Sequence, residues 1–406
     1  MRILHSSDWH LGQKLLACDR EQEHQLALDW LLDTIQQQGV EVLLVAGDVF
    51  DIGNPTNSAR RMYYRFLTRL MRTSCRQVVI TGGNHDSPSM LQAPRDLLRH
   101  FNIHVVGEAG ARPEDEVIPL YHESGRLMTV VGAVPFLRDR DLKYSIAGER
   151  SEERIRRLRA ALARYYRELA EAMQPFADQG VPLLAMGHLY AGGAYASERQ
   201  DNIYIGDTDN IRAEDFPGLF DYVALGHLHR QQEVGGNPHI RYSGSLIPLS
   251  FSETKDEKGV LLLDWQGEGW QSIQFLAAPT FRRLKTVSGG PEEVKRKLLA
   301  FAGRGERELT PWVEVLVDTD RLLPQFDQEL RELVADCDLE VLKIRLRNTH
   351  VSEEEEVETV QLKDLSVQEV FRHRCASAGI AGPELEELET KFSELCEWVR
   401  DQEGRD

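Results

Sequence analysis

The 406 residues predict an α/β fold, and two observations carry that reading. Short apolar, β-rich runs recur through the first 230 residues, and each ends in a cluster of His, Asp, Asn and Gly: Arg2–His5, Glu41–Ala46, Val78–Thr81, Val181–Met186 and Tyr222–Leu225. Between several of them lie stretches with helical periodicity, Arg20–Gln38 and Ser58–Thr73, so strands alternate with helices and parallel segments are favoured. The polar clusters then fall at the carboxyl ends of strands, where open α/β sheets place their sites. From about Ile240 to Phe275 the pattern shifts to short strands, Gly259–Asp264 and Ser272–Leu276, with Gly-rich turns. That change reads as a second sheet packed on the first.

Ala277-Ala278-Pro279 reads as a linker. Beyond it the pattern predicts strand Phe281–Val287, helix 291–302, strand Trp312–Val317, helix 322–336 and strand Leu339–Arg347. Pro291 suits a first helical position and Gly303 a stop. The chain therefore divides into 1–277, a small α/β unit over 280–348, an acidic linker over 349–362 around Glu353-Glu354-Glu355-Glu356, and a helical pair over 363–402. Ser366 with Glu369 forms a capping box that opens the first of those helices, and Gly382-Pro383 opens the second. Leu385, Leu388, Phe392, Leu395 and Val399 recur at spacings of 3, 4, 3 and 4, one narrow apolar seam on a helix.

Composition bounds the function classes. Hydrophobic residues at 41% and charged residues at 28% describe a globular chain able to bury a core. No apolar run approaches the roughly 18 residues that span a bilayer, and Met1-Arg2-Ile3-Leu4 leads into a polar motif, so no membrane association is expected. Five scattered cysteines without a CxxC pair suit a reducing cytoplasm and exclude a thiolate zinc site. The net charge of -18 is unevenly placed: residues 351–406 carry 16 acidic and 6 basic side chains, net -10, which leaves -8 for the rest. The total thus misrepresents the main body.

The chemistry sits in the polar clusters. Asp8-x-His10 follows the first run, Gly47-Asp48-x-x-Asp51 the second and Gly83-Asn84-His85-Asp86 the third; Gly187-His188 and Gly226-His227-x-His229 follow the later two. A divalent metal needs O and N lone pairs aimed at one point, which short loops at adjacent strand ends supply. The glycines before Asp48, Asn84, His188 and His227 permit sharp turns. One such piece alone is an ordinary polar turn; five at strand ends make a site.

Together the five pieces resemble the calcineurin-like metallophosphoesterase superfamily, whose signature is Asp-x-His, Gly-Asp, Gly-Asn-His-Asp/Glu, Gly-His and Gly-His-x-His. HSSDWHLG, VAGDVFD, GGNHD, VPFLRDRD, MGHLY, YIG, ALGHLHR and YSGSLIPLSF bring the chain nearer to its branch of bacterial SbcD nuclease subunits. The resemblance implies a sandwich of two β-sheets flanked by helices, with a two-metal phosphoesterase (nuclease) domain over 1–277, a capping domain and C-terminal helices. It implies that Asp8, His10, Asp48 and His229 hold one metal and Asp48, Asn84, His188 and His227 the other, with Asp48 bridging. Mixed imidazole and carboxylate donors accept manganese, iron, zinc or cobalt alike, and the histidine count disfavours magnesium; the resemblance implies two divalent ions, manganese in particular, and makes His85 the general acid, with Asp86 orienting its ring, a structural hydrogen bond being the other reading of His85. In archaeal and eukaryotic relatives a histidine commonly stands at the position of Asp51, so no role of that histidine carries over.

The resemblance further implies double-strand exonuclease and single-strand or hairpin endonuclease activity on DNA, in repair and recombination. No GxxxxGK[ST] loop occurs, so ATP falls to another chain, with an SbcC-like ATPase as the implied partner at 363–402. Folding back of those helices on the capping domain is the alternative. A homodimer is implied as well, for which Met62, Tyr63, Phe66, Leu67 and Leu70 offer either a dimer face or an ordinary core stripe. Arg150, Arg154, Arg156, Arg157, Arg159, Arg164 and Arg167 with Tyr165 and Tyr166, and Arg138 with Arg140, could contact DNA or form a solvated face. A phosphatase or cyclic-nucleotide phosphodiesterase sharing the metal site is the alternative enzyme, and a metal-stabilised scaffold without catalysis the alternative of another class.

Overall fold

A computed structural model describes residues 1–138, 140–142, 151–194, 211–267, 269–302, 309–319, 323, 325–347 and 392. Two six-stranded sheets form its centre. In the first, Arg2–Ser6, Val42–Ala46, Gln77–Thr81 and Ile103–Val106 run parallel, and Gly259–Gln266 and Gly269–Ala277 extend the Arg2–Ser6 edge antiparallel. In the second, Leu127–Ala133, Leu183–His188, Tyr222–Gly226 and Asn237–Tyr242 run parallel, with Val117–Tyr121 and Gln232–Val234 as antiparallel edges.

Strand residues alternate between two environments, as the period of two requires. Ile3, Val42, Leu44 and Val79 of the first sheet meet Val131, Leu184, Met186 and Ala224 of the second in one buried layer. The opposite face of the first sheet, through Leu4, Leu43 and Ile80, packs on helices Glu21–Gln38 and Asn57–Leu70. Val130, Ala185 and Val223 on the far face of the second pack on helix Ser151–Met173. Sheets buried on both faces explain why the runs read as continuously apolar.

The structure corrects the origin of the second sheet. Gly259–Gln266 and Gly269–Ala277 belong to the first sheet, and the second is built from Leu183–His188 and Tyr222–Gly226, runs read as continuing the first, together with four strands not named in the sequence reading, Val117–Tyr121, Leu127–Ala133, Gln232–Val234 and Asn237–Tyr242. An apolar run does not say which of two stacked sheets it joins. The apolar stripe of Asn57–Leu70 is core: Met62, Tyr63, Phe66, Leu67 and Leu70 are each at most 4% exposed, which leaves them no free dimer face.

Leu284–Gly289, Trp312–Asp318 and Glu340–Arg347 form a three-stranded parallel sheet with helices Pro291–Ala302 and Phe326–Leu333 over it. It joins the sandwich through Trp312 and Leu284, packed with Leu15 and Phe251, and through Arg282, which stacks on Trp312 and pairs with buried Glu23. The acidic linker at 349–362 and, apart from residue 392, the helical pair at 363–402 lie outside the described residues.

Candidate metal centre

Every polar cluster sits at the carboxyl end of a strand paired in parallel, Gly187-His188 as its last two residues and the Asp, Asn and His residues of the others in the loop beyond, and the ends of the two sheets meet across the sandwich. Backbone ties set the framework: Asp8 N–H donates to Gly47 O at 3.1 Å and His10 N–H to Asp48 O at 2.9 Å. Side chains lock it further, with His85 N–H donating to Asp48 Oδ1 and His227 N–H to Asp8 Oδ1, both at 2.9 Å. Asp8, His10, Asp48 and His227 all take positive φ, 52°, 46°, 46° and 102°. Each such position costs on the order of 1–3 kcal/mol and persists only where its surroundings over-determine it.

The glycines act mainly by permitting close approach. A Cβ at Gly83 would lie 2.1 Å from Asp48 Oδ1, and one at Gly226 would lie 1.7 Å from Ala46 O, so the two sheets touch through a hydrogen atom there. Neither has positive φ, which corrects the expectation of a sharp turn before Asn84 and His227; Gly47, at φ 80°, fits it.

The ligand atoms of Asp8, His10 and His229 lie within 4.8 Å of one another, and so do those of Asp48, His188 and His227. Asn84 Oδ1 joins the second group at 3.0 Å from His188 Nε2 and 3.1 Å from His227 Nδ1. Asp48 Oδ2 reaches both groups, 3.2 Å from His188 Nε2 and 3.5 Å from His10 Nε2. His188 Nδ1 donates to Ala46 O at 3.0 Å, so in the neutral ring Nε2 turns a lone pair toward two further acceptors. His10 Nε2 is buried without a hydrogen-bond partner. Lone pairs converging on lone pairs fit a divalent cation between them.

The electrostatics agree. Burial alone would lower both His10 and His188, yet the hydrogen bond His10 donates to Asp51 and the charges of Asp48 and Asp8 hold His10 up at about 9, and the charge of Asp48 and the hydrogen bond it accepts do the same for His188. Burial works against the Asp48 carboxylate as well, but His188 above all holds it well below the usual carboxylate range. His227 is lowered to about 3, by burial first and then by the charge of His188. The carboxylates therefore draw positive charge into the centre.

Of His85 and Asp86, it is Asp86 whose contacts differ from those expected. His85 Nδ1 donates to the Asp51 carbonyl at 2.7 Å, which leaves Nε2 as its second polar atom. The Asp86 carboxylate does not orient that ring: it accepts from the backbone N–H groups of Val49, Phe50 and Gly83, and so holds the two loops that carry Asp48 and Asn84 together. Orienting falls instead to Asp51, whose Oδ1 also accepts from His10 Nδ1 at 3.2 Å. Burial first and the Asp48 charge second raise the Asp86 carboxyl to about 6.

Sequence reasoning missed Glu253 and Lys258. Glu253 Oε1 accepts from His229 Nδ1 at 3.1 Å, and Lys258 Nζ donates to Glu253 Oε2 at 2.7 Å. Neither stands in a recognised motif; both lie in the polar, charged segment SFSETKDEK before a buried strand, where nothing in the sequence sets them apart from Lys255, Asp256 and Glu257. Among the DNA-contact candidates, Tyr165 and Tyr166 are buried, bonded to Glu116 and to Met186 O, so they offer no surface to a nucleic acid. Arg159 is paired to Asp215 at 2.8 Å, and Arg140 lies near Glu108 and Asp141. Arg150 lies outside the described residues.

Comparison with known proteins adds an independent line. A family model described as calcineurin-like phosphoesterase matches residues 1–231, and one described as type 5 capsule protein repressor C-terminal domain, SbcD_C, matches 280–378. A protein named as the D subunit of the SbcCD nuclease, from Escherichia coli (strain K12), is 38% identical over 397 residues, covering 97% of each chain. Its namesake from Bacillus subtilis (strain 168) is 30% identical over 411 residues, covering 100% of each. That from Rhodobacter capsulatus is 40% identical over 275 residues, 66% of this chain and 67% of the relative. The crystal structure of TT1561 of Thermus thermophilus aligns at a TM-score of 0.35 and 14% identity, covering 68% of this chain and 98% of that one, which is too remote to carry an argument.

Proposed function

Since this chain belongs to the calcineurin-like phosphoesterases and, within them, to the family of SbcCD nuclease D subunits, metal-dependent phosphodiester hydrolases, we propose that it cleaves DNA with two divalent cations. One is held by Asp8, His10, Asp48 and His229, the other by Asp48, Asn84, His188 and His227. The observation that carries this reading is the position of Asp48 Oδ2 between His188 Nε2 and His10 Nε2, at 3.2 and 3.5 Å, where one carboxylate serves both groups. The mixture of imidazole, carboxylate and amide donors favours manganese over magnesium, which prefers an all-oxygen shell. When bound, such a pair supplies Lewis-acid activation of water and of the phosphoryl oxygens.

The chain's own residues do the rest. Asp8 and Asp48 concentrate negative charge at the metal positions, and the neutral Asn84 leaves net positive charge facing a phosphodiester once the cations are in place. His85, with Nδ1 anchored on the Asp51 carbonyl, presents Nε2 as the atom that delivers a proton to the leaving oxygen. With an SbcC-like ATPase docked on 363–402, the activity extends to double-strand exonuclease and single-strand or hairpin endonuclease action in DNA repair and recombination. The nuclease subunits pair as a homodimer. The test is cleavage of double-stranded DNA, hairpin DNA and a simple aryl phosphodiester with manganese, beside Asp48→Asn. Turnover of the small ester alone, with or without the ATPase, would favour the small-molecule phosphodiesterase, and no turnover of any substrate the scaffold.

A further inference from the structure

His188 and His85 each donate Nδ1–H to a neutral backbone carbonyl, whereas His10 and His229 donate to carboxylates, Asp51 Oδ1 at 3.2 Å and Glu253 Oε1 at 3.1 Å. Of those two acceptors Asp51 is partly exposed and Glu253 is buried. Glu253 is only 3% exposed, and burying a carboxylate is costly unless it is paired and hydrogen-bonded. Lys258 Nζ meets that need at 2.7 Å, and Leu249 N–H adds a bond to Oε2 at 3.0 Å. The same ammonium also donates to the His229 backbone carbonyl at 2.6 Å. Ring, carboxylate, ammonium and main chain thus close one circuit that fixes both the rotation of the imidazole and the backbone that bears it. With Nδ1 committed, Nε2 remains to face Asp8 and His10.

We propose that Glu253 and Lys258 are a positioning pair that sets His229 as an Nε2 donor, so that the cation position at Asp8, His10 and His229 depends on them while that at Asp48, His188 and His227 does not. The inference rests on the two-cation reading above. Outer partners of ligating histidines typically contribute 10–100-fold in metal affinity, by fixing the tautomer and raising ring basicity. A buried ion pair with only a packing role predicts no such asymmetry, since its replacement by apolar groups of like volume is often neutral.

Calorimetric titration of manganese into the metal-free full chain, with bound ions counted by elemental analysis, tests this. Wild type is expected to take two ions, and Glu253→Ala to lose about 10–100-fold in affinity for one of them with the other unchanged. Because Glu253→Ala strands a buried lysine, the double substitution Glu253→Met with Lys258→Met removes both charges at similar volume, and it is expected to show the same selective loss. Nitrogen NMR of His229 in the metal-free chain gives a second readout: Nδ1-protonated in wild type, a tautomer mixture in both variants. Wild-type affinity for both ions in both variants overturns the proposal. If wild type itself binds fewer than two ions, the two-cation reading falls, and an unchanged His229 tautomer in the variants then overturns the positioning pair separately.

Discussion

His85 stands beside the loops of Asp48 and Asn84 with its ring tied to the Asp51 backbone carbonyl, and in the proposed mechanism it delivers a proton without holding a metal. His85→Ala is therefore expected to keep both ions by elemental analysis while losing about 10²–10⁴-fold in turnover, the scale of a general acid. Near-native cleavage by that variant would remove the acid role. Asp48→Asn is the complementary case: its oxygen approaches both imidazole groups, so both ions should weaken together, whereas His10→Ala should affect mainly one. Two full-occupancy ions in the Asp48 variant would contradict the bridging assignment. The residues brought together here were legible because each sits in a short motif at a strand end. Asp86 was misassigned and Glu253 missed for one reason, that a hydrogen-bond partner is chosen by three-dimensional proximity. Asp86 is next in sequence to His85 yet bonds to Val49, Phe50 and Gly83, while Glu253 is 24 residues from the histidine it holds.

Between elements, two contacts make claims that measurement can check. Gly226 lies against the Ala46 carbonyl where the two sheets meet, the same carbonyl that takes His188 Nδ1–H. Gly226→Ala must part backbone from backbone, so a loss of about 1–3 kcal/mol or more in urea unfolding is expected, together with weakened metal binding. The other contact joins helix Ser151–Met173 to the 3-10 turn Pro113–Glu116 through the Tyr165 hydroxyl and buried Glu116. Burial, only partly opposed by the Tyr165 bond, raises the Glu116 carboxyl from 4.5 to about 7. Between those values the folded chain holds a proton that the unfolded chain has released, so this group makes stability fall as pH rises through the window. The decrease is on the order of 3 kcal/mol, and Glu116→Gln should remove that part of the pH slope in unfolding midpoints taken from pH 4.5 to 8. A slope identical in the two proteins would show that Glu116 is ionised throughout. Periodicity identified helices Glu21–Gln38 and Asn57–Leu70 to within a few residues, but it did not assign Gly259–Gln266 to its sheet, because pairing partners are set by contacts distant in sequence.

At the scale of the whole chain, chemistry and partner binding are assigned to different lengths of sequence. Every residue placed in the metal centre lies before 260, and the strongly acidic stretch 351–406, net -10, contributes none of them. Within 363–402, which lie outside the described residues apart from 392, the spacing of Leu385, Leu388, Phe392, Leu395 and Val399 predicts a seam flanked by Glu384, Glu386, Glu387 and Glu389, and that of Val367, Val370 and Phe371 a second short face. Two helices of the length the sequence predicts there would be marginal alone and would need an apolar surface to pack on. The proposed reading is that a helix-on-helix contact with another chain, the SbcC-like ATPase, supplies one. The SbcD_C match runs from 280 to 378, so one family model takes in the sequence of both the small sheet and the first predicted helix. The expectation is that a chain ending after residue 350 keeps manganese-dependent cleavage of simple phosphodiesters, since it retains Asp8 through His229 with Glu253 and Lys258. The same chain should no longer co-purify with the ATPase or respond to ATP. Co-purification at unchanged affinity would locate the docking surface before residue 350 and return the terminal helices to folding back on their own chain. A truncated chain that lost its manganese-dependent activity would instead mean that the helices support the phosphoesterase sandwich directly, and the division of labour along the sequence would be wrong.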